Sequence, residues 1–356
     1  METNRIIQGD SVKVLKSFPD ESIDLIFADP PYNLQLKTEL NRPDNTKVNA
    51  VNDDWDKFSS FKHYDTFTNN WLSECKRILK PNGTIWVMGS YHNIFRLGTI
   101  LQNLNFWILN DVIWNKTNPM PNFRGTRFTN AHETLIWASK NETSNFTFNY
   151  NAMKSLNGDL QMRSNWTLPI CSGKERLKVN GNKLHSTQKP ESLLSRVIIS
   201  SSNIGDTVLD PFLGSGTTAA IAKQYGRKWI GIEQEQKYIK EAQKRIDNVR
   251  QVSVSDLQTM KSKKDEPRVP FGALIEKGLL RPGETLFDGR KRWFAKVRID
   301  GSLISNNSKG SIHSVGAEVQ GLSACNGWTF WHTMIDGSIV PIDTLRSIVR
   351  RDLNHH

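Results

Sequence analysis

The chain is short of the features that mark secreted and membrane proteins. It has three cysteines, Cys75, Cys171 and Cys325, which are odd in number and far apart in sequence. This pattern fits buried, reduced thiols better than a disulfide framework or a zinc site. No run of 18 apolar residues occurs, and the opening METNRIIQGD has no charged segment followed by an apolar core. We therefore expect a cytoplasmic protein with no membrane span, no signal peptide and no bound metal.

The chain also has fewer acidic than basic residues. The 47 Lys and Arg residues outnumber the 36 Asp and Glu residues, which leaves a formal net charge of +11. Such an excess favours a polyanionic partner, with nucleic acid first and an anionic membrane surface second. A chain of 356 residues is long enough for one large domain and a smaller one.

The first 250 residues alternate β-branched runs with helical patterns, which predicts a mostly parallel sheet covered by helices. Residues 115–183 carry a weaker pattern with one strand-like stretch, 133–138, and we interpret them as a target-recognition insert. Residues 251–268 predict a solvated linker, and the aromatic-rich residues 269–356 predict a small packed domain. The predicted strands span residues 5–8, 23–28, 84–88, 207–209 and 229–232, and the predicted helices span residues 63–79, 190–201 and 217–225.

The sequence Asp29-Pro30-Pro31-Tyr32 directly follows the apolar run 23–28, at the end of a predicted parallel strand where open α/β sheets bind ligands. The two prolines make the turn rigid and leave carbonyl groups free to accept hydrogen bonds. The Asp29 carboxylate and the Pro30 carbonyl would orient an amino group toward a methyl sulfonium, and Tyr32 would stack on a base rotated out of the duplex. An ordinary strand-ending turn is the alternative. The polar stretch 35–56 that follows is unusually long for a loop, and such loops tend to be functional or disordered.

A second motif, DPFLGSGTT at residues 210–218, joins a predicted strand to a predicted helix through a glycine-rich turn. Gly214 and Gly216 allow the backbone to approach a ligand closely, and the helix N-terminus behind them favours a carboxylate. Glu233, at the end of the strand 229–232, is placed to accept hydrogen bonds from both hydroxyls of a ribose. A nicotinamide dinucleotide is the alternative ligand, but Ala219 stands where the third glycine of its fingerprint would be.

Together with HSTQKP at residues 185–190, the two motifs stand in the order that resembles the β-group amino-methyltransferases. Across its length the chain resembles the cell cycle-regulated adenine methyltransferases of alphaproteobacteria, which are similar to enzymes that modify GANTC. The likeness includes NPMPNFRG at residues 118–125, AHETL at 131–135, FGALI at 271–275 and GWTFW at 327–331. The resemblance implies an α/β fold, with a Rossmann-like sheet that binds S-adenosylmethionine and has helices on both faces, and a small C-terminal α+β domain.

The resemblance also implies roles for individual residues. Asp29, Pro30, Pro31 and Tyr32 match the catalytic motif. Asp10 would lie near the cofactor adenine, with an N-cap of the following helix as the alternative. Lys189 would pair with the methionine carboxylate of the cofactor, unless this segment only starts a helix at Pro190, and His185 is either a ligand or a loop residue. The residues expected to bind the cofactor are Asp10, Thr187, Lys189, Asp210, Phe212, Gly214, Ser215, Gly216, Thr217 and Glu233.

Candidate DNA-binding residues lie in two regions. Asn122 and Arg124 are candidates for base readout, because Asn reads adenine and Arg reads guanine through two hydrogen bonds. Arg127 lies in the same loop. The C-terminal cluster of Arg290, Arg292 and Trp293 combines positive charge with an aromatic ring, which suits a DNA backbone or an unpaired base. Contact with phosphate or solvent alone is the alternative for the loop arginines, and a solvated turn is the alternative for the C-terminal cluster.

The sequence therefore predicts a site-specific DNA adenine N6-methyltransferase. The implied partner is double-stranded DNA, bound at the nucleoid by a homodimer. The nearest alternative is an N4-cytosine methyltransferase, although serine often takes the place of Asp29 in that group. A catalytically inactive DNA-binding regulator and a methyltransferase of RNA or of protein glutamine are the further alternatives. The two intact ligand motifs and the Asp-led loop weigh against them.

Overall fold

The computed structural model describes residues 1–33, 56–122, 125–179, 181–185, 187–257, 268–306, 308–335 and 337–353. The chain divides into two compact units, Met1–Met260 and Lys261–His356. The polar stretch 35–56, predicted to be a long loop, lies outside the described residues except for Asp56.

The first unit alternates strands with helices. Its elements are β1 (Arg5–Gln8), α1 (Ser11–Lys16), β2 (Ile23–Ala28), α2 (Phe61–Ile78), β3 (Leu79–Gly89), α3 (Ile94–Asn103), β4 (Trp107–Lys116), β5 (His132–Ser139), α4 (Tyr150–Ser155), β6 (Asn165–Leu168), a 3-10 turn (Gly173–Glu175), β7 (Lys178–Val179), β8 (Asn182–Lys183), α5 (Glu191–Ser201), β9 (Thr207–Asp210), α6 (Thr217–Gln224), β10 (Lys228–Glu233), α7 (Gln236–Asp247) and α8 (Val254–Leu257).

The central sheet has eight strands in the order β1-β10-β9-β2-β3-β5-β4-β6. The first five strands in this order, β1, β10, β9, β2 and β3, pair in parallel. The carboxyl ends of β2, β9 and β10 therefore meet at one edge. Strand β5 runs antiparallel to both β3 and β4. The first residues of β5 and the last residues of β4 therefore lie at that same edge.

The sheet is buried on both faces, because alternate residues of β2 enter different cores. Leu25 and Phe27 pack with α5 and α6, whereas Ile26 and Ala28 pack with α2 and α3. A strand covered on both sides needs a nearly continuous apolar sequence, which residues 23–28 supply. The two covered faces confirm the predicted α/β fold class.

Helix α2 covers one of these faces and begins at a cap. The Ser60 side chain accepts a hydrogen bond from the backbone N–H of His63 at 3.1 Å, which satisfies a donor that the first helical turn leaves unpaired. The helix starts two residues before the predicted span 63–79, and Leu79 already belongs to β3.

Residues 115–183, predicted to be an insert, also supply strands to the central sheet. Strand β5 lies between β3 and β4, and β6 forms the edge beside β4. The Trp137 ring of β5 stacks on Trp86 of β3 with centroids 5.2 Å apart, and Trp166 of β6 lies 5.7 Å from Trp86. This segment therefore contributes to the core as well as to loops.

The second unit has its own antiparallel sheet and core. The six strands stand in the order β14-β13-β12-β11-β15-β16, and Leu286, Trp331 and Leu345 belong to the apolar cluster that the helices share with the sheet. This confirms the predicted small α+β domain. Its elements are α9 (Gly272–Glu276), β11 (Thr285–Asp288), β12 (Phe294–Val297), β13 (Leu303–Ser305), β14 (Ser308–Gly310), α10 (Ile312–Glu318), α11 (Gly327–Phe330), β15 (Trp331–Ile335), β16 (Ser338–Pro341) and α12 (Ile342–Leu353).

Two absences hold for the described part of the chain. Within it, no helix combines the length and the apolar character needed to cross a membrane. The same residues contain no group of three or more His, Cys, Asp or Glu side chains that could hold a metal ion.

Candidate active site

A cavity of about 260 Å³ opens at the carboxyl edge of β2, β9 and β10. Of the fourteen residues predicted for catalysis and cofactor binding, all but Gly216 line it. Gly216 is the N-cap of α6, directly behind the glycine-rich turn. The lining members of the predicted set are Asp10, Asp29, Pro30, Pro31, Tyr32, Thr187, Lys189, Asp210, Phe212, Gly214, Ser215, Thr217 and Glu233.

The DPPY loop is held in place by side chains from two helical regions. The Tyr64 hydroxyl of α2 donates to the Pro31 carbonyl at 2.9 Å, and the Asn93 amide donates to the Tyr64 oxygen at 3.0 Å. Within the loop, the Tyr32 hydroxyl donates to Asp29 Oδ1 at 2.9 Å. Because Tyr64 is buried, solvent does not compete for the Pro31 carbonyl, and this hydrogen bond stabilises the loop conformation.

Asp56 fixes the outgoing end of this loop. Its Oδ1 atom accepts hydrogen bonds from the backbone N–H groups of Tyr32 and Asn33, at 2.5 and 2.8 Å. The carboxylate is buried and replaces the water that two backbone donors would otherwise need. Asp56 was not among the predicted residues, because no local pattern shows that the chain returns to the catalytic loop after more than twenty residues.

Four charged side chains form a buried charge cluster beside the loop: Asp29, Glu133, Lys116 and Lys189. Lys189 Nζ lies 2.7 Å from Asp29 Oδ2 and 3.9 Å from Glu133 Oε2, and Lys116 Nζ lies 2.7 Å from Glu133 Oε1. None of the four side chains is more than 17% exposed. Each cation therefore compensates a carboxylate that has lost most of its water.

The Lys189 ammonium was expected to meet the carboxylate of the cofactor. It instead contacts the catalytic-loop acid, although its side chain also lines the cavity. Glu133 and Lys116 were not among the predicted site residues. Glu133 opens the predicted strand 133–138, but only the antiparallel direction of β5 brings that end of the strand to the site.

Burial and charge act on the cluster in opposite directions. Burial raises the pKa of Asp29, and the Lys189 ammonium offsets only part of that rise. Burial also tends to raise the pKa of Glu133, but the Lys189 and Lys116 ammonium groups outweigh it and hold that pKa below its usual value. Burial therefore shifts Asp29 toward its protonated form, which suits a group that receives a proton, whereas the two ammonium groups shift Glu133 toward its ionised form.

Asp210 holds the shape of the glycine-rich turn. Its Oδ1 accepts from the Phe212 backbone N–H at 2.9 Å, and its Oδ2 accepts from the Thr218 hydroxyl at 2.6 Å. Burial raises the pKa of Asp210 to about 7. Gly214 follows with a φ of +53°, in the left-handed region that favours glycine.

Glu233 is anchored to the same turn. One carboxylate oxygen accepts from the Gly214 N–H at 2.8 Å, and the other accepts from the backbone N–H groups of Gln234 and Glu235 at 2.8 and 2.9 Å. These three donors orient the carboxylate in the cavity wall, at the end of β10.

Asp10 and His185 complete the wall. Asp10 Oδ1 accepts from the Lys13 backbone N–H at 3.0 Å, so the residue caps α1 and lines the cavity at once. The His185 ring packs on Tyr238 with centroids 4.8 Å apart, and its Nδ1 lies 3.2 Å from the Thr187 hydroxyl. Burial, aided by nearby cations, lowers the pKa of His185 to about 4, so this ring is neutral at physiological pH.

The residues present fit S-adenosylmethionine. Glu233 ends β10, Asp29 follows β2, and β9 lies between these two strands. Neighbouring strands are about 4.8 Å apart, so the ends of β10 and β2 lie about 10 Å apart across the edge of the sheet. That span suits a nucleoside whose ribose contacts Glu233 and whose sulfonium side chain approaches Asp29. Ser215 and Thr217, at the N-terminus of α6, offer donors for its carboxylate.

Two of the predicted DNA-binding residues, Asn122 and Arg127, belong to the first unit and do not line this cavity. Arg124 is outside the described residues, whereas the half-buried Asn122 side chain donates to the Arg127 carbonyl at 3.0 Å. The Arg127 guanidinium lies 5.7 Å from the Tyr91 ring, and the neighbouring Phe128 is 98% exposed. This loop leads into β5 and hence to Glu133, so it borders the active site in sequence.

The three C-terminal candidates belong to the turn between β11 and β12. The buried Asp288 carboxylate accepts from the backbone N–H groups of Arg290, Arg292 and Trp293. The Arg292 guanidinium stacks over the Trp293 ring at 4.1 Å and pairs with Asp288 at 3.0 Å. Arg290 and Lys291 are exposed, so the turn presents two cations besides Arg292, which is the one paired with Asp288.

Comparison with known proteins gives matches along the whole chain. A family model described as DNA methylase (N6_N4_Mtase) matches residues 23–244, and one described as Restriction Enzyme Adenine Methylase Associated matches residues 251–355. The Type II methyltransferase M.HinfI of Haemophilus influenzae is 51% identical over 344 residues, which cover 96% of this chain and 96% of that protein. The Type II methyltransferase M2.DpnII of Streptococcus pneumoniae is 43% identical over 243 residues, which cover 68% of this chain and 89% of that protein.

Two solved structures share the fold of the first unit. The M1.HpyAVI–SAM complex matches with a TM-score of 0.52 and 27% identity, over 68% of this chain and 98% of that chain. The PvuII DNA methyltransferase (cytosine-N4-specific) matches with a TM-score of 0.55 and 23% identity, over 72% of this chain and 90% of that chain.

Proposed function

Because the chain belongs to the DNA methylase family of N6 and N4 methyltransferases, we propose that it methylates the N6 amine of adenine in double-stranded DNA, within GANTC. The predicted activity of a DNA methyltransferase and the predicted cofactor, S-adenosylmethionine, are confirmed. The target base, the recognition sequence and the role of each site residue are our proposals.

The observation that carries the proposal is the acid-led loop in the cavity wall. An amino group conjugated to a purine is a poor nucleophile, because its lone pair is delocalised into the ring. Hydrogen bonds from this amine to the Asp29 carboxylate and the Pro30 carbonyl favour a pyramidal nitrogen, and Tyr32 offers a ring face for the flipped base. S-adenosylmethionine, when bound, supplies the methyl group on a sulfonium. The nitrogen then gives up one proton, which Asp29 is placed to take.

Adenine is favoured over cytosine by two features of the chain. Asp29 occupies the position that serine often takes in N4-cytosine enzymes, and the C-terminal match is to a domain described as adenine-methylase associated. Mass spectrometry of nucleosides from DNA methylated in vitro distinguishes the two products. We expect N6-methyladenine, and N4-methylcytosine alone would overturn the assignment.

The variant Asp29→Asn tests the catalytic loop. It keeps the size of the side chain but removes the negative charge that stabilises the developing ammonium, so we expect methyl transfer to fall by about 100-fold or more. Affinity for the cofactor, measured by calorimetry, should stay near that of the parent chain. Asp300→Asn, at an exposed loop carboxylate of the second unit, is the matched control. Full activity of Asp29→Asn would refute the assignment.

We propose residues 1–250 as the catalytic domain, with DNA readout by the loop that carries Asn122, Arg124 and Arg127 inside the insert 115–183. Residues 251–268 act as a linker, and residues 269–356 bind DNA and help to open the duplex, with Arg290, Arg292 and Trp293 at the contact. The exposed Phe128 beside Arg127 supports a DNA contact, because apolar side chains can insert between base steps. Methylome sequencing of cells that express the chain tests the recognition sequence.

We further propose that the enzyme works at the nucleoid as a homodimer, in a solitary role linked to replication and the cell cycle. The resemblance to the alphaproteobacterial enzymes supports this, and the charge of +11 suits wide contact with DNA. Light scattering on the DNA-bound enzyme should give the mass of two chains, and a fully active monomer would contradict it. Methylome sequencing of synchronised cells tests the link to replication.

A further inference from the structure

We propose that Glu133, paired with Lys116, is a positioning residue of the catalytic site that takes over the Tyr32 hydroxyl when the target amine arrives at Asp29. The proposal rests on the proposed function of Asp29. It gives a role to two buried charged residues that the reaction scheme above does not use.

The Tyr32 hydroxyl has two acceptors at nearly equal distance. Its oxygen lies 2.9 Å from Asp29 Oδ1 and 3.0 Å from Glu133 Oε2. A phenol carries a single hydrogen, so it donates to one of the two carboxylates at a time. A rotation of the hydroxyl about its C–O bond is enough to move that hydrogen, and the ring does not need to leave its place.

The second acceptor matters because Asp29 is already engaged on both oxygens. Oδ1 accepts from Tyr32, and Oδ2 accepts from Lys189 at 2.7 Å. An incoming amine must donate to one of these oxygens. If the Tyr32 hydrogen turns to Glu133, both lone pairs of Oδ1 become available to the amine, and the hydroxyl stays paired within a buried site. No net charge moves in this exchange.

The charged groups around Glu133 keep it able to accept. Lys116 Nζ lies 2.7 Å from Oε1, on the side away from Tyr32, and Lys189 Nζ lies 3.9 Å from Oε2. Their combined influence lowers the pKa of Glu133, whereas burial raises that of Asp29. Glu133 therefore stays ionised and acts as an acceptor only.

Further charged groups act on the edges of the cluster. Asp210 on the neighbouring strand β9 interacts with Asp29, and Arg176 interacts with Lys189. They are the same in every variant below, so differences between variants report on Glu133, Lys116 and Tyr32.

A double-mutant cycle between Glu133 and Tyr32 tests the exchange. Single-turnover methyl transfer is measured with cofactor and DNA both saturating, for Glu133→Gln, Tyr32→Phe and the double variant. We expect each single change to slow the step by about tenfold, and the double variant to be no slower than Tyr32→Phe, because the two changes remove one shared interaction. If the double variant is slowed by the product of the two single effects, the proposal is wrong.

The pH profile separates positioning from simple support of the fold. Glu133 raises the pKa of Asp29, so in Glu133→Gln the fall in rate at acid pH should move to lower pH. Lys116→Met removes a cation from the cluster, which favours the protonated forms of both carboxylates, so the same fall should move to higher pH, by about one unit. A structural role alone would not shift the two profiles in opposite directions.

The ion pair Lys140–Glu21, with Nζ and Oε1 3.1 Å apart, offers the matched control. Lys140 follows the opposite end of β5, and Glu21→Gln should leave the rate and the pH profile unchanged. Cofactor affinity and thermal unfolding show whether each variant is folded. If Glu133→Gln does not fold, the cycle of Tyr32→Phe with Lys116→Met carries the same test, and independent effects would overturn the proposal.

The proposed function and this inference fail in different ways. An active Asp29→Asn variant would refute the catalytic loop itself. An inactive Asp29→Asn variant together with a Glu133→Gln variant of parental rate and pH profile would leave the proposed function standing and remove only the role of Glu133.

Discussion

The substitution Lys189→Met removes the ammonium of the buried charge cluster that contacts Asp29 and leaves a side chain of similar length. Asp29 and Glu133 then share only the ammonium of Lys116, which lies on the far side of Glu133. Breaking a buried ion pair by removing one partner costs about 3–5 kcal/mol, because the remaining charge stays desolvated. Asp29 can reduce that cost only by binding a proton.

The stability deficit should therefore depend on pH. Lys189 is the largest influence that lowers the pKa of Asp29, so the variant raises this pKa further above its value in the unfolded chain. A carboxyl group with a raised pKa in the folded state favours folding while it is protonated, and this contribution is lost as pH rises through the folded pKa. We expect a small deficit near about pH 5 and the full deficit near about pH 8.

Thermal unfolding of the full chain at both pH values measures the deficit. One kcal/mol corresponds to about 2–4 °C for a domain of this size, so a loss of about 3–5 kcal/mol should make the variant unfold about 6–20 °C lower near pH 8. Lys244→Met is the control, because Lys244 is 58% exposed in its pair with Glu241 and such a surface pair contributes at most about 1 kcal/mol. A deficit equal at both pH values, or no larger than that of the control, would refute the reasoning.

Three further predictions concern binding and catalysis. Gly216→Ala puts a Cβ atom 2.9 Å from a neighbouring alanine at a φ of +76°, a conformation that costs about 1–2 kcal/mol, so calorimetry should show weaker S-adenosylmethionine binding. The control Gly205→Ala, at a φ of +87° with open space around it, should bind the cofactor as the parent chain does. Tyr64→Phe removes the donor to the buried Pro31 carbonyl, which costs about 1–3 kcal/mol, so kcat should fall about tenfold with cofactor affinity unchanged; an equal loss of cofactor affinity would contradict this. Arg290→Ala should reduce the slope of log DNA affinity against log salt by about one, equally for all sequences, and an unchanged slope would show that its side chain meets only solvent.

The catalytic strand could be predicted because its pattern is local. Residues 23–28 are apolar on both faces of the sheet and end at an acid followed by two prolines, so both the strand and its last residue were visible in the sequence. Strand β4 was not predicted, because Asn110 and Asp111 interrupt its apolar run on the exposed side. Its membership in the sheet depends on pairing with β5, which is a long-range property.

The same division holds for the candidate site. Local motifs predicted the residues of the two loops that line the cavity, because the prolines and glycines that specify each turn are part of the motif itself. The partner of Lys189 could not be predicted, because 160 residues separate it from Asp29 and the two loops meet only when α5, which begins directly after Lys189 and Pro190, packs against β2. Glu133 and Lys116 could not be predicted for a related reason, because the residues of β5 do not themselves show that this strand runs antiparallel to β3.

Asp56 has a consequence for how far the length of the chain between Asn33 and Asp56 can vary. Its carboxylate binds the backbone where the chain leaves the catalytic loop, so the segment from residue 34 to residue 55 starts and finishes at one anchor. Doubling the length of a closed segment costs only about 0.6 kcal/mol. We therefore expect insertions, deletions or a complete exchange of that segment to leave the position of Tyr32 and the methyl-transfer chemistry unchanged.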